Sequence, residues 1–268
     1  MKTFQIQYRL HLTVDHEINH HYFSFRCLPK EGGRQWPDFV RIRLDADYYA
    51  YSHDCFRNHL VYGYTEAPAT VLDYYMESQV RVDQHNFDRD NRLCRVLRLP
   101  TKQTEPVGDL RQFAADCAAA CSMIPNDYDK AHYVMTAVHG YMHYQPGSTT
   151  ITTTAGEAFE KNCGVCQDYA QIMLAIVRNM GIAARYVAGL MVNEALTHAW
   201  VEVYANGRWQ GLDPTNNRLV DEDYVILSVG RDYKDCFVNK GVFYCPEPVI
   251  QHSDIRISMQ EIPPSGRV

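Results

Sequence analysis

The hydrophobic pattern of this chain changes its period near residue 100, and this change limits the folds that the chain can adopt. Before it, apolar residues such as Phe4, Ile6 and Tyr8 alternate with polar ones, which is typical of a half-buried β-strand. After it, apolar residues such as Leu110 and Ala114 recur at the spacing of an amphipathic helix. The sequence therefore predicts a β-rich region followed by a region that combines helices with strands.

The two regions are separated by a polar stretch between two prolines, Leu99 to Pro106. Proline next to polar residues is typical of a connection between folded units, so Thr101 to Glu105 are expected to be exposed. At roughly 150 residues per domain, 268 residues are compatible with two domains. We expect a sandwich-like β-rich domain over residues 1–100 and a second domain over residues 106–268.

Composition narrows the class of protein. Hydrophobic residues make up 46% of the chain and charged residues 22%, which is typical of a globular protein. The net charge is 26 − 32 = −6, and the absence of a basic block argues against nucleic-acid binding. No apolar run approaches the roughly 20 residues that span a bilayer, and no signal-peptide pattern opens the sequence. We therefore expect a soluble, cytoplasmic protein that does not enter membranes.

The nine cysteines do not form a recognisable disulfide pattern, because their number is odd and their spacings are irregular. Most are expected to be buried thiols, as Cys117 and Cys121 would be on the apolar stripe of a helix. Cys166 differs, because it lies in the first turn of a predicted helix just after Gly164. A helix N-terminus stabilises an anion and favours the thiolate below its free pKa of about 8.5.

Two groups of residues have another possible interpretation, as a metal site or as a redox pair. Cys163 and Cys166 form a C-x-x-C pair, but a zinc site needs a second ligand pair, and the other cysteines lack a matching spacing. A disulfide between the two under oxidation would block Cys166. His132, His139 and His143 fall near one helix face without an evident acidic partner, so a polar stripe is the preferred interpretation.

A predicted hairpin brings two further polar residues together. If Asn206-Gly207 is its two-residue turn, opposed residues sum to 413, which pairs Tyr204 with Trp209. His198 and Asp213 then become diagonal neighbours with Cα atoms roughly 7–8 Å apart, within reach of a hydrogen bond between side chains. With Cys166 they supply the nucleophile, base and orienting carboxylate of a catalytic triad. The alternative is a structural histidine beside a turn-forming Asp-Pro.

The residues around these three positions resemble the motifs of the transglutaminase-like superfamily. Cys166 lies in Gly-Val-Cys-Gln-Asp-Tyr-Ala, His198 in Thr-His-Ala-Trp-Val-Glu-Val-Tyr, and Asp213 in Gly-Leu-Asp-Pro-Thr-Asn. Further similarity lies in Tyr144-Gln-Pro-Gly-Ser-Thr149, and the matches extend from about residue 141 to residue 243. The resemblance implies a papain-like α+β core, in which a helix bearing the cysteine packs on an antiparallel sheet bearing the histidine and aspartate. A β-sandwich-like domain would precede this core, as in bacterial relatives described as cysteine proteases.

The resemblance also implies acyl transfer at an amide or peptide bond of a protein or peptide substrate, through a thioester on Cys166. His198 would transfer protons, Asp213 would orient it, and Tyr144 is a candidate second oxyanion donor beside the backbone of Cys166. No metal or other cofactor is expected. Hydrolysis is the favoured outcome, and protein-glutamine transglutamination or deamidation is the alternative. A binding or scaffold protein that keeps the fold without turnover is an alternative of another class.

Overall fold

The computed structural model describes residues 1–263. Within them the elements are, in chain order, β1 Lys2–Phe25, β2 Gln35–Leu44, β3 Tyr48–His53, β4 His59–Thr65, β5 Ala69–Val82, α1 Asp109–Ala120, α2 Asp127–Tyr141, β6 His143–Tyr144, α3 Ala155–Lys161, β7 Cys163–Gly164, α4 Cys166–Asn179, β8 Ala184–Met191, β9 His198–Ala205, β10 Arg208–Asp213, β11 Arg218–Leu219, β12 Tyr224–Gly230, β13 Asn239–Tyr244 and β14 Gln251–Glu261. The fold is α+β, with antiparallel sheets as its main layers. None of the helices in this range has the length and apolar character needed to cross a membrane.

The N-terminal sheet is organised around β1. The first half of this strand pairs with β5 and β14, and its second half pairs with β4 and β13. The predicted alternation is confirmed, because Phe4, Ile6 and Leu10 are fully buried while Gln7 and Arg9 between them are exposed. One face of β1 therefore supplies the core of the N-terminal unit.

The last two strands depart from the predicted domain boundary. Residues 106–268 were expected to form one domain, but β13 and β14 pair with β1 and complete the N-terminal sheet. The physical reason is a period-2 pattern in β14, where Ile255, Ile257 and Met259 pack against the N-terminal core. The helices and the second sheet therefore form a unit inserted between β5 and β13.

The connection between the units is partly buried, which corrects in part the expectation of an exposed linker at Thr101 to Glu105. Lys102 and Glu105 are exposed, but the two residues between them are not. Gln103 and Thr104 are 2% and 0% exposed. The buried Arg178 guanidinium donates a hydrogen bond to Thr104 Oγ1 at 3.1 Å, and the N–H of Ala155 donates to the Gln103 carbonyl at 2.8 Å. The polar atoms of this stretch satisfy groups of the inserted unit, so the stretch packs against it.

The second sheet has the strand order β11-β10-β9-β8-β12, and α4 packs against β9 and β8. The hairpin between β9 and β10 has the predicted register, with Tyr204 opposite Trp209. Asn206 and Gly207 both have positive φ, as a type I′ turn requires. This register fixes where His198 and Asp213 lie along the sheet.

Candidate active site

Helix α4 begins at Cys166 because its first turn is capped from within. The preceding residue, Val165, is extended, and its N–H donates to Asp168 Oδ2 at 2.8 Å. Thr149 Oγ1 donates to the same oxygen at 2.6 Å, and Asp168 is fully buried. A Cβ at Gly164 would lie 2.5 Å from Asp168 Oδ2, so only glycine leaves room for this carboxylate. The segment that carries the thiol is therefore closely fixed.

His198 is the first residue of β9 and is 7% exposed. Its Nε2 hydrogen-bonds Asp213 Oδ2 at 2.8 Å. Burial lowers the pKa of His198, but the hydrogen bonds and charges of Asp213 and Cys166 outweigh burial and raise this pKa to about 10. This raised pKa favours the imidazolium form of the ring, with the carboxylate of Asp213 on one nitrogen and Cys166 close to the ring.

Asp213, at the end of β10, is fully buried and accepts five hydrogen bonds. Its Oδ2 accepts from His198, from Asn216 Nδ2 at 2.8 Å and from the Tyr224 hydroxyl at 2.9 Å. Its Oδ1 accepts from the N–H groups of Thr215 and Asn216 at 3.0 and 3.2 Å. Burial raises the pKa of Asp213, but these bonds outweigh it and lower the pKa below its usual value. The residue therefore both makes the turn and holds the imidazole.

Tyr144 lies in β6, which pairs in parallel with β7, the strand just before α4. Its side chain is 59% exposed. Burial and the nearby Cys166 raise the pKa of its phenol. The structure thus places Tyr144 beside the cysteine at the surface, while its role as an oxyanion donor stays a prediction.

The C-x-x-C pair is not placed for a disulfide. The backbone is extended from Cys163 through Val165, which at about 3.3 Å per residue separates the Cα atoms of Cys163 and Cys166 by roughly 10 Å. Disulfides need Cα atoms within about 7 Å, so a disulfide that would block Cys166 does not fit this conformation. All nine cysteines are free thiols.

The three histidines predicted on one helix do not assemble into a site, because His132 and His139 lie on α2 whereas His143 lies in β6. His139 Nδ1 contacts the carbonyl oxygens of Pro214 and Thr215 at 3.3 and 3.0 Å, which joins α2 to the turn after Asp213. Across residues 1–263, no group of three or more His, Cys, Asp or Glu side chains is arranged to hold a metal ion. His139 therefore supports the turn by its contact with the backbone.

Sequence reasoning missed two residues of this site. Asp168 had a detectable signal, because a carboxylate in the first turn of a helix is typical of a cap. Tyr224 had none, since it lies on another strand, 224 − 213 = 11 residues after its partner Asp213. Only the folded sheet brings its hydroxyl to the carboxylate.

Comparison with known proteins agrees with this geometry. Residues 111–214 match the family model of the transglutaminase-like superfamily. Uncharacterized proteins of Mycobacterium bovis and Mycobacterium tuberculosis are 37% identical over 139 residues, which cover 46% of this chain and 43% of theirs. A Mycobacterium leprae protein is 36% identical over 112 residues, which cover 38% and 40%. The chain thus aligns with less than half the length of these relatives.

One solved structure shares the whole fold. It is the crystal structure of a Cytophaga hutchinsonii protein that carries a provisional designation as a cysteine protease. The superposition has a TM-score of 0.79 at 18% identity and covers 99% of this chain and 92% of that one. The likeness therefore includes the N-terminal sheet as well as the core.

Proposed function

We propose, on the premise that residues 111–214 form a transglutaminase-like domain, that this protein is a cysteine-nucleophile acyl-transfer enzyme. Its substrate would be an amide or peptide bond of a protein or peptide. The observation that carries the proposal is the 2.8 Å hydrogen bond between His198 and the buried Asp213, with Cys166 beside the same imidazole. A thiolate at a helix N-terminus next to an imidazolium is an activated nucleophile.

The chemistry would proceed in two steps. The thiolate of Cys166 attacks the substrate carbonyl, forming a C–S bond and moving an electron pair to the oxygen. The backbone N–H of Cys166 at the start of α4, with Tyr144 as the second donor, stabilises that oxyanion. The C–N bond then breaks as His198 protonates the leaving amine, and a thioester remains on Cys166.

The proposed acceptor of the acyl group is water. Water attacks the thioester, His198 takes its proton, and a carboxylic acid leaves as the thiolate is restored. A primary amine in place of water would give a transglutaminase, which needs an additional binding site for the amine. The hydrogen bond from His198 to the fully buried Asp213, with the thiol of Cys166 near the same ring, favours turnover over a purely structural role.

Limited alkylation tests the nucleophile. At pH 7, iodoacetamide should modify Cys166 before Cys55, although Cys55 is exposed and Cys166 is half-buried. Mass spectrometry of peptides after partial reaction measures this order. Preferential reaction of Cys55 would contradict the proposal.

A library experiment tests the acceptor. Peptide and isopeptide libraries are incubated with the protein, with and without an added primary amine. We expect free carboxylic acid in both arms, loss of turnover in Cys166→Ala, and retained turnover in the control Cys163→Ala. Product that forms only when amine is present would favour transglutamination, and no product with any substrate would favour the scaffold alternative.

A further inference from the structure

The carboxylate of Asp213 is held from a strand that is not its neighbour. Tyr224 begins β12, which is separated from β10 by β9 and β8. Its side chain crosses the sheet face, with its ring centroid 5.3 Å from that of Trp200 and 6.2 Å from that of His198. The buried hydroxyl then donates to Asp213 Oδ2 at 2.9 Å. The distant strand thus fixes the oxygen that also holds the imidazole.

The free edge of β12 is in turn bound by side chains of the N-terminal unit. The Gln35 amide donates to the Ile226 carbonyl and accepts from the Ile226 N–H, both at 2.7 Å. The Asn58 amide makes the same pair of bonds with Val229, both at 2.8 Å. Gln35 and Asn58 are fully buried. These amides take the place of a neighbouring strand, which an exposed sheet edge otherwise lacks.

We propose that Tyr224 is a positioning residue for the reaction, and that the N-terminal unit keeps it in place by binding β12 through Gln35 and Asn58. This inference rests on the proposed function of Cys166, His198 and Asp213. The N-terminal unit would then contribute to the site, because the hydrogen bonds of Gln35 and Asn58 hold β12, the strand that carries Tyr224.

The proposal has a defined electrostatic consequence. Three donors share the charge of Asp213 Oδ2, so removal of the phenol leaves more of that charge to the imidazole of His198. The ionisable groups around the ring are Cys166 on α4, Asp213 on β10 and Tyr224 on β12. Arg218 lies over the tyrosine ring at 5.2 Å, but its charge is paired with Asp221 and Asp223. Loss of the hydroxyl should therefore raise the pKa of His198.

The test compares Tyr224→Phe with the control Tyr8→Phe, a buried tyrosine whose hydroxyl has no hydrogen-bond partner within residues 1–263. NMR titration of His198 and the pH profile of Cys166 alkylation are measured for both variants. We expect Tyr224→Phe to move the His198 midpoint up by about half a pH unit and to lower turnover roughly fivefold, the effect of one hydrogen bond. Tyr8→Phe should move neither quantity.

Gln35→Met tests the contribution of the N-terminal unit, since it keeps the tyrosine and removes the amide that binds Ile226. We expect a smaller shift of the same sign in a variant whose circular dichroism remains native. Unchanged titration in Tyr224→Phe, with Cys166 still fast, would overturn the positioning role and leave the proposed function intact. Slow alkylation of wild-type Cys166 would instead contradict the proposed function, and the His198 titration would still decide whether the two residues are coupled.

Discussion

The two sheets of this molecule bury tyrosine in opposite ways. In the N-terminal sheet, Tyr8 and Tyr74 pack edge to face at 6.1 Å, and the Tyr8 hydroxyl has no hydrogen-bond partner within the described residues. In the second sheet, the Tyr224 hydroxyl completes the hydrogen bonding of Asp213. Tyrosine thus serves as an apolar core residue in one sheet and as a hydrogen-bond donor in the other. The Tyr224 hydroxyl therefore contributes to the site through its hydrogen bond, whereas the Tyr8 hydroxyl makes none within the described residues.

The two sheets also differ in how much of their surface is exposed to solvent. Strands β8 and β12 are buried along almost their whole length, because helices cover one face of their sheet and the N-terminal unit covers the other. The N-terminal sheet instead keeps one face in solvent, where Tyr22 and Tyr51 are 52% and 59% exposed. Substitutions in the first sheet should thus change mainly stability, and substitutions in the second should change mainly chemistry.

The largest expected effect is on turnover. Asp213→Asn removes the charge that supports the imidazolium, so turnover should fall by roughly three to four orders of magnitude while the melting temperature changes by a few degrees. The pKa of His198 should fall, because its stabilising carboxylate is lost. Kinetics and thermal unfolding measure the two effects, and Asp127→Asn, at a side chain that is 45% exposed, is the control. Near-normal turnover would mean that Asp213 serves only the turn.

The next largest effect is expected on the free energy of unfolding, from a substitution in the N-terminal sheet. Leu10→Ala removes a fully buried side chain and should lower the free energy of unfolding by about 2–5 kcal/mol. Cys166 should still be alkylated at the wild-type rate at 25 °C, because the cavity lies outside the site. Urea unfolding gives the stability, and Val71→Ala on the exposed face of β5 is the matched control. A large loss of alkylation in folded Leu10→Ala would contradict this separation of roles.

A smaller effect is expected on how the stability of the protein depends on pH. Because the pKa of His198 is raised from 6.5 to about 10 in the folded protein, the charged pair with Asp213 stabilises the fold fully below pH 6.5. That contribution is lost as the pH rises from there through about 10. The stability difference between wild type and His198→Ala should therefore be larger at pH 6 than at pH 10. A difference independent of pH would show that the pair contributes no charge interaction to stability.

The smallest expected effect is on stability and tests the N-terminal cap of α3 in the inserted unit. Thr154 accepts from the N–H of Glu157, whose carboxylate accepts from the N–H of Thr154, and together these two bonds form a capping box at the start of α3. Thr154→Ala should destabilise the protein by about 1 kcal/mol. Thr152→Ala, an exposed threonine in the same loop, should cost less. Equal unfolding midpoints for the two variants would show that the box contributes little.

The features that could be predicted from sequence are those in which near neighbours decide the structure. The turn at Asn206-Gly207 set the register of its hairpin, and the helix starting at Cys166 follows from a local cap. The features that could not be predicted depend on segments far apart in the chain. The pairing of β14 with β1, the burial of Thr104 under Arg178 and the contact of Tyr224 with Asp213 each need the assembled fold. Period and spacing carry no signal for such contacts.

The pairing of β1 with β14 has a consequence for synthesis on the ribosome. Phe4 faces Glu261, so β1 is synthesised long before β14, the strand that completes this part of its sheet. The inserted unit, with its strands between residues 184 and 230, emerges before that partner. Until then the nascent chain carries β1 with an unpaired edge and apolar side chains such as Ile6 and Leu10 awaiting burial, a condition that favours aggregation. We therefore expect the N-terminal sheet to close after the second sheet has formed.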